Sequence, residues 1–349
     1  MPTLHQPPPI DPSRAPIEHQ LLLTPMVPIR ILTEDQDLFT NTYPSWQPPP
    51  GRSLFGGILI GASINAAQQT VGPDFYIHHM SCTFRAAPDA TKPLFYRVAR
   101  SSDRRYGAVR EVKVEQAGVV FFSAECSFSL ATERSSSISH QDKPPLQLNT
   151  QALKVPPPPP VADNNEKAFT EQMVLPGFLT WKGLKTTKDD IDPFVWRDYP
   201  PTPERTEASC PSTSNVLYSW VRPQGNMSNS RTSHMAVLGC LTDVWVLSRL
   251  PEMVINPSSA SGDLKIPNTS SEMPFMSTLN HTIWFHDPSV KLDDWLLVKK
   301  KSSWAGQGRC LVEQQFWDKQ GNLVATCVQE GTFKAKQTKM ADKTGQSKI

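Results

Sequence analysis

Ser233-His234-Met235-Ala236-Val237-Leu238-Gly239-Cys240-Leu241-Thr242-Asp243-Val244-Trp245-Val246-Leu247 is the stretch that decides the fold. It is apolar on almost every face, and a helix of that kind is a buried one. Four strand-like runs follow it, at Met276–Phe285, Trp295–Lys300, Cys310–Phe316 and Leu323–Phe333. The same order stands earlier in the chain. Gly56 to Gln69 (GGILIGASINAAQQ) reads as a second buried helix. Strand-like runs follow at Phe75–Phe84, Leu94–Ala99, Arg110–Glu115 and Val119–Phe128. An offset of 200 residues lays Cys82-Thr83-Phe84 and Pro88 on Thr282-Ile283-Trp284 and Pro288, and the hairpin glycines Gly118 and Gly321 also correspond. A helix and then a string of antiparallel strands, twice over, is an α+β duplication. The Gly57-x-x-x-Gly61 pair is not a membrane dimer motif, because Asn65, Gln68 and Gln69 interrupt the apolar run. It marks close packing of the helix on its sheet.

The 349 residues are more than one core usually serves. The expected units are an N-terminal domain over 30–131, a linker over 132–165, a C-terminal domain over 166–335 and a flexible tail over 336–349. The linker is Ser- and Pro-rich, with five consecutive prolines at Pro156–Pro160 that favour extended polyproline II. A further loop-rich region is expected from Asp189 to Pro211. The formal net charge is +2, with no long run of Lys or Arg, which points away from nucleic acid. No apolar stretch approaches the length of a membrane span. The N-terminus has neither a basic region nor an apolar one of the secretory kind. The 6 cysteines are scattered without a Cys-x-x-Cys pair, so they read as reduced thiols rather than as metal ligands or disulfides.

Asp243 is the most conspicuous carboxylate. A buried carboxylate must be paired, or shift its pKa, or both. Burial alone leaves a structural and a functional Asp equally open. Gln329 shares a period-2 face with Leu323, Ala325 and Cys327, which predicts an inward side chain. Thr278 shares its face with Asn280, Thr282 and Trp284. Taken singly, a strand Thr is simply a good β-former. A carboxylate, a hydroxyl and an amide together can hold one water. The carboxylate takes its proton while the other two fix its orientation. His78-His79 has no partner at zinc-site spacing, and no Gly-x-Ser-x-Gly elbow, P-loop or Gly-x-Gly-x-x-Gly occurs.

Four motifs in order carry a family resemblance. They are Leu238-Gly239-Cys240-Leu241-Thr242-Asp243, the strand Ser277–His286 with Pro288, Trp295-Leu296-Leu297, and Ala325-Thr326-Cys327-Val328-Gln329-Glu330-Gly331. With Phe55-Gly56-Gly57, Lys92-Pro93-Leu94-Phe95-Tyr96, Arg110 and Phe121-Phe122-Ser123-Ala124 in the first half, they resemble the type II acyl-CoA thioesterases. The resemblance implies a double hotdog, two antiparallel sheets each wrapped around a long helix. It places Asp243, Thr278 and Gln329 on the family's catalytic Asp, Thr and Gln. Gly56, Gly57 and His281 are candidate substrate contacts, although strand histidines such as His281 and His286 are more often packed or surface residues than bases. Arg104-Arg105-Tyr106-Gly107 stands where the family has a Gly-x-Ser-Phe stretch, and the family's His-rich strand is only partly kept in His78-His79-Met80-Ser81.

The resemblance implies hydrolysis of a fatty or polyketide-type acyl-CoA, with coenzyme A as part of the substrate and no metal or other cofactor. A hotdog hydratase or dehydratase of a secondary-metabolite pathway and a non-catalytic acyl-thioester-binding protein are the alternatives. Both β-oxidation and a secondary-metabolite route fit. A homo-oligomer is expected, since sheet edges need partners. Ser347-Lys348-Ile349 is one residue from Ser-Lys-Leu, the tripeptide read by the peroxisomal import receptor, which makes a peroxisomal location the expectation.

Overall fold

The computed structural model describes residues 26–28, 37–41, 45, 54–130, 139–144, 194–198, 202–203, 215–223, 227–254 and 275–334. The Pro156–Pro160 run and the tail 336–349, with Ser347, Lys348 and Ile349, lie outside them. The first half comprises β1 (Met26–Pro28), β2 (Asp37–Asn41), α1 (Gly56–Gln68), β3 (Phe75–Phe84), β4 (Phe95–Arg104), β5 (Gly107–Gln116) and β6 (Val119–Leu130). The second comprises β7 (Phe194–Asp198), β8 (Thr202–Pro203), β9 (Asn215–Pro223), α2 (Arg231–Leu241), a 3-10 turn (Leu247–Arg249), α3 (Leu250–Val254), β10 (Phe275–Phe285), β11 (Leu296–Gly306), β12 (Arg309–Trp317) and β13 (Leu323–Lys334).

Every strand pairing is antiparallel, in the order β1-β2-β4-β5-β6-β3-β10-β13-β12-β11-β9-β7, with β8 also on β9. The two expected sheets are therefore joined edge to edge, through β3 and β10, into one. On either side of that seam the order mirrors itself, as a duplicated hotdog requires. α1 and α2 are buried almost throughout and pack against each other inside the curl of the sheet. Two glycines let them approach. A Cβ on Gly57 would sit 2.5 Å from the Cys240 carbonyl oxygen, and one on Gly239 would sit 2.5 Å from Ile64 Cδ1. The hairpin glycines Gly118 and Gly321 have φ of 79° and 86°, a backbone that side chains resist.

Three expectations need correction. The repeat offset in the central strands is 201, not 200. The register skips His78 in β3 and Leu279 in β10, a bulge at the same place in each half. A slip of one residue exchanges the two faces of a strand. The bulge also separates Thr278 from Asn280 and Trp284, which face outward, and turns Thr278 inward. Secondly, the Asp189–Pro211 region contains β7 and β8. Asp198 of β7 accepts from Ser219 Oγ at 2.6 Å and pairs with Arg249 at 2.9 Å, so this segment is tied to the core by a hydrogen bond and an ion pair. Thirdly, part of the expected linker is docked. Gln141 Nε2 donates to the Gly321 carbonyl at 2.8 Å, and Trp317 Nε1 donates to the Asp142 carbonyl at 3.0 Å.

Candidate active site

α2 ends at Leu241, six residues short of the expected Leu247. Thr242 caps it, and its hydroxyl donates to the Gly239 carbonyl at 2.8 Å. Trp245 then takes a left-handed φ of 55°, a conformation costly for a bulky residue and one that stops any helix. Asp243 thus stands in the turn just beyond the helix, not within it. From there its carboxylate reaches across the pseudo-twofold to the N-terminus of α1.

That N-terminus has no side-chain cap of its own. The backbone N–H of Gly57 donates to the Asp243 carboxylate, so the second half caps the helix of the first. Gly56 is what permits the approach, since a Cβ there would lie 2.6 Å from Asp243 Oδ2 and 2.9 Å from Phe84 Cε1.

Two strands complete the group. Thr278 Oγ1 of β10 donates to Asp243 Oδ1 at 2.9 Å. Gln329 Nε2 of β13 donates to Asp243 Oδ1 at 2.7 Å and to Thr278 Oγ1 at 2.8 Å. Gln329 is wholly buried, and its Oε1 has no hydrogen-bond partner among the described residues. Burial pushes the Asp243 carboxyl up to about 7, against the opposing pull of the bonds from Thr278, Gln329 and Gly57. The result is a carboxylate poised near neutral pH.

All three residues line a cavity of about 460 Å³. Its far wall comes from the first half, through Phe55, Gly56, Leu59 and Phe84. Trp245, Leu247 and Met276 of the second half also line it. The mainly apolar lining suits an acyl chain, and the N-terminal pole of α1 suits an oxygen that gains charge.

The remaining expected site residues divide. Gly56 faces the cavity, and Gly57 serves Asp243. His281 does not reach the cavity. It is buried, its Nε2 lies 2.9 Å from Thr242 Oγ1, and burial lowers its pKa to about 3. Because the Thr242 hydroxyl hydrogen goes to Gly239, His281 must donate from Nε2, which makes it a neutral packed histidine rather than a substrate contact. Sequence reasoning missed Leu247, Met276 and Phe84 as lining residues, since an apolar wall reads the same as a core. Among the described residues no three His, Cys, Asp or Glu side chains gather as a metal would need, and no helix is long and apolar enough to cross a membrane.

Comparison with known proteins agrees with this geometry. Residues 43–129 match the model of the acyl-CoA thioesterase N-terminal domain, and residues 159–333 match that of the acyl-CoA thioesterase C-terminal domain. The chain is 30% identical over 308 residues to acyl-coenzyme A thioesterase 8 of Mus musculus, covering 86% of each. It is 24% identical over 283 residues to acyl-CoA thioesterase 2 of Haemophilus influenzae, covering 81% of this chain and 88% of that one. The crystal structure of the acyl-CoA thioesterase II TesB2 from Mycobacterium marinum superposes with a TM-score of 0.62 at 23% identity, covering 93% and 99% of the two chains. A hot dog fold protein from Alicyclobacillus acidocaldarius gives 0.59 at 18% identity, covering 91% and 98%. At those identities the structures attest the fold. The matched domain models span most of the chain, and the chain belongs to the acyl-CoA thioesterase family.

Proposed function

We propose that the protein hydrolyses acyl-CoA thioesters, of fatty or polyketide-type acyl groups, by direct attack of water activated by Asp243, Thr278 and Gln329. The observation that carries this reading is the meeting of a carboxylate, a hydroxyl and an amide within 2.7–2.9 Å at the wall of an apolar cavity. Asp243 takes a proton from the water while Thr278 and Gln329 hold it in line with the thioester carbon. The oxygen–carbon bond forms, charge moves to the carbonyl oxygen beside the N-terminal end of α1, and the carbon–sulfur bond then breaks. The proton on Asp243 goes to the departing CoA thiolate, which leaves free acid, CoA and an unchanged enzyme. Family membership does not favour the hydratase or the binding-protein reading.

Free thiol release from a panel of acyl-CoAs tests it. Wild type is expected to turn over, and Asp243→Asn to fold and lose about 10²–10⁴-fold in kcat. An Asp243→Asn enzyme with full activity overturns the assignment.

The proposal extends to context. Ser347-Lys348-Ile349 supports peroxisomal import through its receptor. A fluorescent fusion at the N-terminus should be punctate, and should turn diffuse when those three residues are deleted. A sheet that ends in two edge strands, β1 and β7, supports a homo-oligomer. Light scattering should give a mass of at least twice that of the chain.

A further inference from the structure

Beneath the catalytic group lies a second set of polar contacts that the mechanism does not use. Two of them meet at Thr242, and a third runs from Gln314 Nε2 to Cys327 Sγ at 3.1 Å. His281 Nε2 of β10 donates to the Thr242 hydroxyl at 2.9 Å. Gln314 Nε2 of β12 donates to the Thr242 carbonyl oxygen at 2.7 Å. That carbonyl shares a peptide plane with the N–H of Asp243, which itself donates to the Cys240 carbonyl at 3.2 Å. The peptide unit from which Asp243 departs is therefore held at both ends.

These contacts are costly to keep. His281 and Gln314 are each 1% exposed, and His281 Nδ1 and Gln314 Oε1 have no partner among the described residues. A buried polar atom left unpaired is rare and calls for a reason. The other half supplies a control. By register, Met80 stands where the second half has His281, and Val112 stands where it has Gln314. Both are fully buried. The same fold accepts ordinary apolar residues at both places when the turn carries no carboxylate.

We propose that His281 and Gln314 are positioning residues that act through Thr242 to fix the direction from which Asp243 enters the site, an inference that rests on Asp243 as the base. Groups that hold a metal's ligands in place typically alter activity about 10–100-fold, and the same order is expected where the group held is a carboxylate base.

Steady-state kinetics with one acyl-CoA tests it on His281→Met and Gln314→Val, which install the residues of the first half. His281→Gln retains an N–H donor, and Thr242→Val removes the hydroxyl that accepts from His281 while leaving the imidazole in place. The first two and Thr242→Val should each lose about 10–100-fold in kcat with KM within about threefold, and His281→Gln should recover most of that loss. Added to Asp243→Asn, the same substitutions should change the residual rate less than about twofold. Unchanged kcat in folded variants, equal losses for His281→Met and His281→Gln, or additive losses over Asp243→Asn each overturn the proposal. So does failure of all of them to fold, which would make the cluster part of the core. A fully active Asp243→Asn enzyme sinks the base assignment instead, and is read from that single variant.

Discussion

The two halves share one fold and differ where chemistry is possible. At the end of α2 stands Asp243; the matching place at the end of α1, by backbone bonds, is Thr70. The strand positions that hold Thr278 and Gln329 in the second half hold Ile77 and Cys126 in the first. Opposite Thr278 lies Gly331; opposite Ile77 lies the buried Phe128. Val312 corresponds to Arg110, which is 1% exposed. Arg110 donates to Thr70 Oγ1 at 2.8 Å, to the Thr70 carbonyl at 3.0 Å and to Asp103 Oδ1 at 2.6 Å. At these positions the second half sets a small residue beside a carboxylate at the cavity wall. The first sets a buried Phe128 there and secures its helix end with a guanidinium. The helices differ in the same sense. α2 is capped by its own Ser230, whereas α1 relies on Asp243 from the other half. A duplicated fold can thus divide labour: one copy gives up packing for a site, and the other supplies a helix terminus and a wall.

The largest break in the comparison should come from exchanging matched residues. Asp243→Asn is expected to cost about 10²–10⁴-fold in kcat. Thr70→Val, its counterpart, should leave kcat within about threefold, since its effect is on folding alone. Thiol-release kinetics on both variants decides it, and equal losses would dissolve the distinction.

Next in size is a stability effect confined to the first half. Arg110→Leu removes a buried cation and leaves the Thr70 and Ser102 carbonyls without their donor. A loss of about 1–3 kcal/mol is expected in urea melts. Activity per folded molecule should be retained.

How much of this was legible can be judged from particular residues. Eight strands followed from alternation, and two helices from runs that are apolar on almost every face. Gln329 read as inward for that reason. Thr278 did not, because a bulge at Leu279 reverses the alternation, and alternation cannot announce its own interruption. The same bulge hid the true offset. The end of α2 was misplaced because Thr242-Asp243-Val244-Trp245-Val246-Leu247 keeps helical hydrophobicity, and only the left-handed Trp245 stops it. β7 and β9 were passed over. β7 is short and its place is set by the Asp198–Arg249 pair, a contact between distant residues with no local signature. His281 read as a candidate substrate contact, whereas its partner, Thr242, lies 39 positions away.

Smaller effects sharpen the comparison at Gly331. A Cβ there would sit 2.6 Å from Leu247 Cδ1, so Gly331→Ala must displace that side chain, which lines the cavity. A stability loss of about 1–2 kcal/mol and a preference moved toward shorter acyl chains are expected. Acyl-CoAs of graded length measure it, and an unchanged preference would mean that Leu247 does not set the depth.

The last of these concerns stability and pH. Asp243 is raised to about 7 by burial, so between the ordinary carboxylate range and that value the folded protein holds a proton that the unfolded chain has lost. Stability therefore falls as pH rises through this window, and the penalty is complete above 7. Asp243→Asn should be more stable than wild type at pH 8. That advantage should shrink towards pH 4, as thermal melts across pH will read.

The pH dependence of kcat/KM in the wild-type enzyme reports the ionisation of Asp243 most directly. A single base must be ionised to take the proton from water, so the rate should rise with pH along a limb centred near 7, the position to which burial moves Asp243. The residual activity of Asp243→Asn should lack that limb. A wild-type profile that is flat from about pH 5 to pH 8, or a limb at about 4 where an unperturbed carboxylate titrates, would contradict it.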